Sequence, residues 1–264
     1  MRFNMQCYLT GKPDNSSLMK IAVLSDIHGN LEALQACLAH ARQEGAGMHV
    51  FLGDLVGYGA DPVPCLDLLA DHAGRGALLV RGNHDEAALG GLCENMNFVA
   101  REATYWTRKQ LSPGARDFLA SLPFTARRDD LFFVHAGADA PEKWDYISSN
   151  SQAGRCMDAA LASVTFAGHV HHQSLFFSAG SSVRAFQPVP GVPIPLGGRR
   201  RWLTIAGSVG QPRDGNNAAG YVLYDEEERQ LTFFRVPYDH MTAARKIIGA
   251  GLPERLAWRL QKGE

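Results

Sequence analysis

The sequence lacks the features of secreted, disulfide-bonded and membrane-spanning proteins. Its five cysteines are widely spaced and form no Cys-x-x-Cys pair, so free thiols in a reducing compartment are expected. Residues 1–18 are polar and contain no apolar segment of the kind that signal peptides carry. No apolar run has the length of a membrane helix. These absences predict a cytoplasmic protein that does not bind a membrane.

The sequence also lacks an excess of charge of either sign. Lys and Arg number 26, Asp and Glu number 27, and the pI is about 6.8. Nucleic acids attract proteins through clustered positive charge, so a nucleic-acid partner is not expected. We interpret the short basic run Arg199-Arg200-Arg201 as a solvated hairpin tip. Any affinity for phosphate must therefore be local, and the sequence leaves open whether the chain forms a homo-oligomer.

Length and composition favour one folded domain. A chain of 264 residues with 45% hydrophobic side chains can bury a large core without disulfides. We predict a polar N-terminal extension over residues 1–19 and a single domain over residues 20–264. Helical spacing predicts helices at 30–44 and 62–73, and residues 86–122 are interpreted as a cap-like insertion of two or three helices. Short antiparallel strands, expected after residue 174, complete a pattern of two facing sheets covered by helices.

Five apolar segments of this sequence are each followed by Asp, Asn or His. The segments read as buried strands, and the polar residues after them are Asp26 and His28, Asp54, Asn83, His135, and His169 and His171. We expect the five strand ends to bring these side chains to one edge of a sheet. Two divalent cations about 3.5–4 Å apart need such carboxylate and imidazole ligands. Taken singly, each segment is more often a turn, a helix cap or a core histidine; the series favours a two-metal site.

In order, the series resembles the signature of the calcineurin-like metallophosphoesterases. The matching motifs are Asp26-x-His28, Gly53-Asp54, Gly82-Asn83-His84-Asp85, His135 and Gly168-His169-x-His171. The resemblance spans about Lys20 to Val236 and implies an α/β fold, a four-layer α/β/β/α sandwich of two facing mixed sheets. It also implies two divalent or mixed-valence metal ions, with manganese, iron, zinc and nickel as candidates.

The resemblance implies a role for each motif residue. The first metal would be held by Asp26, His28, Asp54 and His171. The second would be held by Asp54, Asn83, His135 and His169, so that Asp54 bridges the two. His84 matches the family's catalytic histidine, which protonates the leaving oxygen or stabilises the transition state. Its neighbour Asp85 is a candidate to orient His84 or to raise its pKa.

One departure from the family pattern bears on the substrate. Ser/Thr protein phosphatases continue Gly-Asp to an Arg-Gly pair, whereas Gly53-Asp54 continues here as Leu-Val-Gly-Tyr. The resemblance is therefore to the small bacterial phosphoesterases. Arg213 is a candidate to replace the missing arginine, because a guanidinium binds two phosphate oxygens at once. A solvated turn arginine beside Asp214 is the alternative interpretation.

The expected substrate is a small phosphorylated metabolite or nucleotide, cleaved as a phosphomonoester or a phosphodiester. Aromatic side chains of the loops and the insertion, Tyr58 and Trp144 among them, are candidates to stack on a nucleobase, with packing in the core as the alternative. Dinucleoside tetraphosphate hydrolysis is the next candidate. Ser/Thr protein phosphatase activity and a noncatalytic scaffold follow, and the presence of His84 argues against the scaffold.

Overall fold

A computed structural model describes residues 18–91, 93, 96–197 and 200–264 of the chain. Its strands are β1 (Lys20–Leu24), β2 (Ala46–Phe51), β3 (Leu78–Leu79), β4 (Thr125–Arg128), β5 (Leu131–Val134), β6 (Val164–Ala167), β7 (Ser174–Ala179), β8 (Ser182–Phe186), β9 (Ile194–Pro195), β10 (Trp202–Ile205), β11 (Ala219–Asp225) and β12 (Gln230–Val236). Its α-helices are α1 (Leu31–Gln43), α2 (Pro62–Gly74), α3 (Asn83–Ala88), α4 (Phe98–Gln110), α5 (Pro113–Ser121), α6 (Asn150–Ala160), α7 (His240–Gly249) and α8 (Glu254–Lys262).

The first sheet has the strand order β3-β2-β1-β11-β12-β9. Strands β1, β2 and β3 run parallel, and β11, β12 and β9 pair antiparallel. The apolar run of β1 has no polar face because both faces are covered. Ala22 and Leu24 pack toward the helices, whereas Ile21 and Val23 pack toward the second sheet.

The second sheet has the order β4-β5-β6-β10-β7-β8. Its parallel strands are β5, β6 and β10, and β4, β7 and β8 are antiparallel to their neighbours. Phe133 and Phe166 of β5 and β6 stack with their ring centres 5.3 Å apart, in the core between the two sheets. Buried side chains of α6, such as Met157, cover the other face of this sheet.

The packing of these elements confirms the predicted four-layer fold. One core lies between the first sheet and helices α1, α2 and α5, a second lies between the sheets, and a third lies between the second sheet and α6. Helix α1 begins as predicted, with the Asn30 side chain accepting a hydrogen bond from the Ala33 amide at 3.2 Å. Among the described residues, no helix is both long and apolar enough to cross a bilayer.

A separate apolar cluster, the cap cluster, joins the predicted insertion to the C-terminal helices. It contains Tyr58, Ala100, Ala103, Ala243, Ala244, Ile247, Leu252, Leu256, Ala257 and Leu260. The helices predicted within 86–122 are present as α4 and α5, with α3 beginning just before that range. However, α5 packs against the outer core through Leu119. The cap over Tyr58 is therefore built by α4 together with α7 and α8.

Some predicted boundaries differ from the structure. Residues 174–186 form a hairpin of β7 and β8, which turns at Gly180, and the proline-rich segment ends in the short edge strand β9. Most of the predicted N-terminal extension, and Arg199 of the basic run, lie outside the described residues.

Candidate metal centre

The polar motif residues follow strands of both sheets. They follow β1, β2 and β3 of the first sheet and β5 and β6 of the second: Asp26 and His28, Asp54, Asn83, His135, and His169 and His171. The expectation of a single sheet edge is therefore wrong. Because the sheets face each other, the carboxyl ends of these parallel strands open at the same end of the sandwich, where α/β folds commonly bind ligands.

Asp26, His28 and His171 form one group of side chains that could hold a metal ion. Asp26 Oδ1 lies 3.0 Å from His171 Nε2 and 3.8 Å from His28 Nε2, and the two Nε2 atoms are 3.3 Å apart. All three residues are buried. Ligand atoms that share one ion at about 2.0–2.2 Å are themselves roughly 3 Å apart, so these spacings fit a metal site.

Asp54, His135 and His169 form a second such group. His135 Nε2 lies 3.4 Å from Asp54 Oδ2, 3.2 Å from His169 Nδ1 and 3.2 Å from Asn83 Oδ1. Asp54 Oδ2 is also 3.7 Å from Nε2 of His28, which belongs to the first group. One carboxylate oxygen therefore faces both groups, and the structure brings all seven predicted ligands together.

Backbone carbonyl groups orient three of the four ligand imidazoles. His28 Nδ1 donates a hydrogen bond to the Val56 carbonyl at 3.3 Å. In the same way, His135 Nδ1 donates to the Leu52 carbonyl at 2.7 Å, and His171 Nδ1 donates to the Gln211 carbonyl at 2.6 Å. A neutral imidazole with its proton on Nδ1 presents a lone pair on Nε2, as metal-binding histidines do. His28 and His171 thus direct two lone pairs toward each other. A cation stabilises that arrangement, and the donor set of carboxylate, amide and imidazole suits a first-row transition metal.

The charges of the site also favour a cation. Burial acts to raise the pKa of Asp26, but the charge and hydrogen bond of His171 together with the charge of His135 outweigh it, and the pKa lies below its usual range. Asp54 behaves in the same way, with His135 as its main partner, so its pKa is lowered. Burial opposes a charge on His135, yet Asp54 raises its pKa to about 9. The two buried carboxylates are therefore anionic at neutral pH and attract positive charge.

The backbone of the site is strained and closely packed. Left-handed φ angles, between 50° and 66°, occur at Asp26, His28, Asp54, His169 and His171. Such angles cost on the order of 1–3 kcal/mol at a non-glycine residue and are concentrated at functional sites. A Cβ on Gly82 would overlap the Asp54 carboxylate, and one on Gly168 would overlap the Ser25 hydroxyl. These two glycines let neighbouring loops touch where side chains would separate them.

His84 lies against both ligand groups. Its amide donates to Asp54 Oδ1 at 2.8 Å, and its ring centre is 4.9 Å from that of His28. One of its ring nitrogens lies within 4.8 Å of the ligand atoms of His28 and Asp54. Burial lowers the pKa of His84 to about 4, against the opposing effect of Asp54. The position is close enough to the ligand groups for contact with a substrate bound there.

Asp85 does not orient His84, contrary to the suggestion from the sequence. Its Oδ1 accepts hydrogen bonds from the amides of Leu55 at 2.9 Å and Val56 at 3.2 Å, and its Oδ2 accepts from Gly82 at 2.9 Å. Burial, followed by the charge of Asp54, raises its pKa to about 7. These bonds tie the loop after β2 to the start of α3, so Asp85 supports the backbone of the site.

The aromatic residues predicted to bind substrate differ in their placement. Tyr58 is buried, with its ring centre 4.5 Å from His28 and 4.4 Å from His84, so its placement does not support stacking on a nucleobase. Trp144 is partly exposed and its ring lies 5.9 Å from His135. Tyr146, which is 51% exposed, stacks on His169 at 4.1 Å. Trp144 and Tyr146 therefore border the site on its open side.

Arg213 lies beside Tyr58, with its guanidinium carbon 5.7 Å from the ring centre. Its neighbour Asp214 forms an ion pair with Arg235 instead. Sequence reasoning missed Arg259, which hydrogen-bonds the same side chain as Arg213, that of Gln211. No motif marks Arg259, because it lies on a C-terminal helix whose only sequence signal is its apolar face.

The comparison with known families agrees with this geometry. The sequence profile described as calcineurin-like phosphoesterase matches residues 19–198. The chain belongs to that family.

Relatives cover nearly the whole of this phosphoesterase. It is 36% identical over 250 residues to an uncharacterized protein of Methanocaldococcus jannaschii, covering 92% of this chain and 98% of that protein. The crystal structure of a metallophosphoesterase from Sphaerobacter thermophilus superposes with a TM-score of 0.82 at 34% identity, covering 94% of this chain and all of that one. The crystal structure of a hypothetical protein from Pyrococcus horikoshii shows the same fold, with a TM-score of 0.74 at 20% identity. The match covers 93% of this chain and 98% of that one.

Family membership gives the site its chemical class. This phosphoesterase belongs to a metal-dependent family, and its two groups of buried ligand side chains agree with that dependence. The family therefore gives this chain the chemical class of a metal-dependent phosphoesterase.

Proposed function

We propose that the protein is a two-metal phosphoesterase that hydrolyses a small phosphorylated metabolite or nucleotide, as a phosphomonoester or a phosphodiester. The observation that carries the proposal is the position of Asp54, whose Oδ2 lies 3.4 Å from His135 Nε2 and 3.7 Å from His28 Nε2. One carboxylate shared by two ligand groups is what a pair of neighbouring cations requires.

In this proposal the ligands divide between two ions. Asp26, His28, Asp54 and His171 would hold the first, and Asp54, Asn83, His135 and His169 the second. When bound, the two cations would polarise the phosphoryl oxygens and lower the pKa of a water. Manganese, iron, zinc and nickel all suit these donors, and the ion recovered on purification will follow supply as well as affinity.

His84 acts on the leaving group in this proposal. One of its ring nitrogens lies within 4.8 Å of the ligand atoms of Asp54 and His28, and its ring contacts the rings of His28 and Tyr58. With a pKa of about 4, His84 is neutral at pH 7, and its ring N–H would donate a hydrogen bond to the leaving oxygen, which most assists substrates whose leaving group is a poor one.

The test combines a metal titration with two chromogenic substrates. Protein stripped of metal and reloaded with Mn²⁺ should hydrolyse p-nitrophenyl phosphate or its bis ester, and the activity should disappear on chelation. His84→Ala should retain its metals by elemental analysis but lose roughly a hundredfold in turnover of an alkyl phosphoester. The loss should be smaller with the p-nitrophenyl leaving group.

Two outcomes would contradict this proposal. Equal losses on alkyl and p-nitrophenyl esters would make His84 a supporting residue. Two bound metals per chain without turnover for any of the four candidate metals would favour the noncatalytic scaffold.

A dinucleoside tetraphosphate is the second candidate substrate. Trp144 and the half-exposed Tyr146 beside His135 and His169 offer ring surface for a nucleobase. A panel of nucleotides, cyclic nucleotides, dinucleoside tetraphosphates, sugar phosphates and a phosphopeptide ranks the candidates by kcat/KM. By far the highest value for the phosphopeptide would replace the small-substrate proposal with protein phosphatase activity.

A further inference from the structure

Two arginines from distant parts of the chain meet at one buried oxygen. Arg213 donates through Nε at 3.3 Å and Nη2 at 3.0 Å to Gln211 Oε1, and Arg259 donates through Nη1 to the same oxygen at 3.4 Å. Gln211 is 1% exposed, and its backbone carbonyl accepts the His171 Nδ1 hydrogen bond at 2.6 Å. The residue that orients a metal-group histidine therefore also holds the two guanidinium groups together.

The end of α8 is fixed to the loop that carries Arg213. The Gly215 amide donates to the Gly263 carbonyl at 2.9 Å, and Asn217 Nδ2 donates to the Gln261 carbonyl at 3.3 Å. On its apolar side, Leu260 packs in the cap cluster with Tyr58. The position of Arg259 is thus determined by contacts on both sides of the helix.

The positive charge of the arginine pair is not balanced by an ion pair within the described part of the protein, and the carboxylate that acts on Arg259 is the more distant Glu264. In that described part, neither Arg213 nor Arg259 has a carboxylate partner within ion-pair distance, whereas Arg81, Arg128, Arg201 and Arg235 each have one. Burial, followed by the charge of Arg213, lowers the pKa of Arg259. Each guanidinium has five N–H donors, and one shared amide oxygen accepts from only three of the ten. The pair retains the charge and the donors for an anion.

The arginine pair adjoins the metal centre. Tyr58 lies between them, in ring contact with His28 and His84 on one side and 5.7 Å from the Arg213 guanidinium carbon on the other. An anion at the arginines would therefore lie about one aromatic ring away from His84 and the first ligand group.

We propose that Arg213 and Arg259 form an anion subsite for a second phosphoryl group, so that the preferred substrate carries two phosphates rather than one. This inference rests on the proposed phosphoesterase function. Guanidinium groups bind phosphate oxygens in pairs, and two of them arranged around one anion discriminate a bisphosphate from a monophosphate.

The test compares the affinities of matched ligands by calorimetry on Mn²⁺-loaded protein. The first pair is fructose 1,6-bisphosphate and fructose 6-phosphate, in which the two phosphates of the bisphosphate are far apart. The second pair is ADP and AMP, in which the two phosphates of ADP are adjacent. The wild type should bind at least one bisphosphate about tenfold or more tightly than its monophosphate, which is the effect of one charge-assisted hydrogen bond. Arg259→Met should reduce that ratio severalfold, and Arg259→Lys, which keeps the charge and the stem, should restore part of it.

Arg255→Met supplies the matched control, because Arg255 is exposed and lies one turn earlier on α8. It should leave the affinity ratio and the hydrolysis of p-nitrophenyl phosphate at wild-type values. Should Arg259→Met not fold, Arg213→Met on the loop is expected to reduce the ratio in the same way.

A wild-type ratio near one for both pairs, or equal losses for monophosphate and bisphosphate in Arg259→Met, would overturn the subsite. Failure of the phosphoesterase proposal would show separately, as absent turnover of p-nitrophenyl phosphate by the wild type.

Discussion

Asp54 is the residue on which both ligand groups depend. Its Oδ1 accepts the His84 amide at 2.8 Å, while its Oδ2 faces His28 and His135. The carboxylate of Asp54 therefore fixes the backbone of His84 through one oxygen and places negative charge beside His28 and His135 through the other. Among the described residues, Asp54 is the acidic residue that shares one possible metal group with His28 and another with His135 and His169.

We expect Asp54→Asn to weaken both metals, because an amide lacks the negative charge that two cations share. His28→Ala removes a ligand of the first group alone and should lower the metal content mainly at that site. Metal content per chain, measured at several free Mn²⁺ concentrations for both variants and the wild type, separates these effects. Two metals bound to Asp54→Asn at wild-type affinity would show that this carboxylate does not bridge.

Gly82 tests how closely the strand ends must approach. A Cβ there would overlap the Oδ1 and the backbone nitrogen of Asp54, so relief would shift the Asp54 backbone and break the hydrogen bond from the His84 amide to Oδ1. Gly82→Ala should therefore lower metal affinity and thermal stability together. Gly114→Ala is the control, because a Cβ on this helical glycine meets nothing within 4 Å. Equal melting temperatures and metal contents for the two variants would show that the contact at Gly82 can be relieved.

The sequence predicts which polar side chains the structure brings together, because metal chemistry restricts the residue types that can serve as ligands. It does not predict the left-handed backbone at five of them, since φ depends on the loops packed around Asp26 and His169. It also misplaced Asp85, because residues adjacent in a helix point in different directions. Arg259 could not be predicted at all, as only tertiary packing brings α8 beside Gln211.

At the scale of elements, β2 and α2 are joined by a pair of histidines. The rings of His49 and His72 lie 4.7 Å apart at an angle of 71°. Burial, followed by the charge of His72, lowers the pKa of His49 to about 4. The folded chain therefore keeps His49 neutral at a pH where the unfolded chain protonates it.

This pair predicts a loss of stability in acid. As the pH falls below about 6.5, the unfolded chain takes up a proton first, so the stability contributed by neutral His49 declines toward the folded pKa near 4. His49→Gln, which does not titrate, should lose less free energy of unfolding between pH 7.5 and 5 than the wild type. Denaturant melts of both proteins with chelator present give the comparison. If the stability of both proteins depended on pH identically, His49 would take up its proton at the same pH in the folded and the unfolded chain.

The element order is predictable only where periodicity is strong. Helices α1 and α2 carry apolar side chains at helical spacing and occur as expected, within a residue of the predicted bounds at each end. In α7 and α8 the apolar face consists largely of alanine and leucine between charged residues. The sequence does not predict its partner, which in the structure is the cluster of Tyr58 and α4. The sequence therefore predicts a cap formed by the insertion alone.

At the scale of the whole molecule, the two sheets meet at the ligand groups. The first sheet supplies Asp26, His28, Asp54 and Asn83, and the second supplies His135, His169 and His171. A cation bound among them would join the two layers, so metal binding and the relative position of the sheets are linked.

The pairing of β1 with β11 has a consequence for biosynthesis. Ala22 lies opposite Leu223, so the central strand gains this neighbour only after most of the chain has left the ribosome. Until then, a nascent chain that has paired β1 with β2 presents the open edge of an apolar strand to solvent. Such pairings of high sequence separation form slowly. We therefore expect chaperones that recognise extended apolar segments to bind translation intermediates of this protein until β11 emerges.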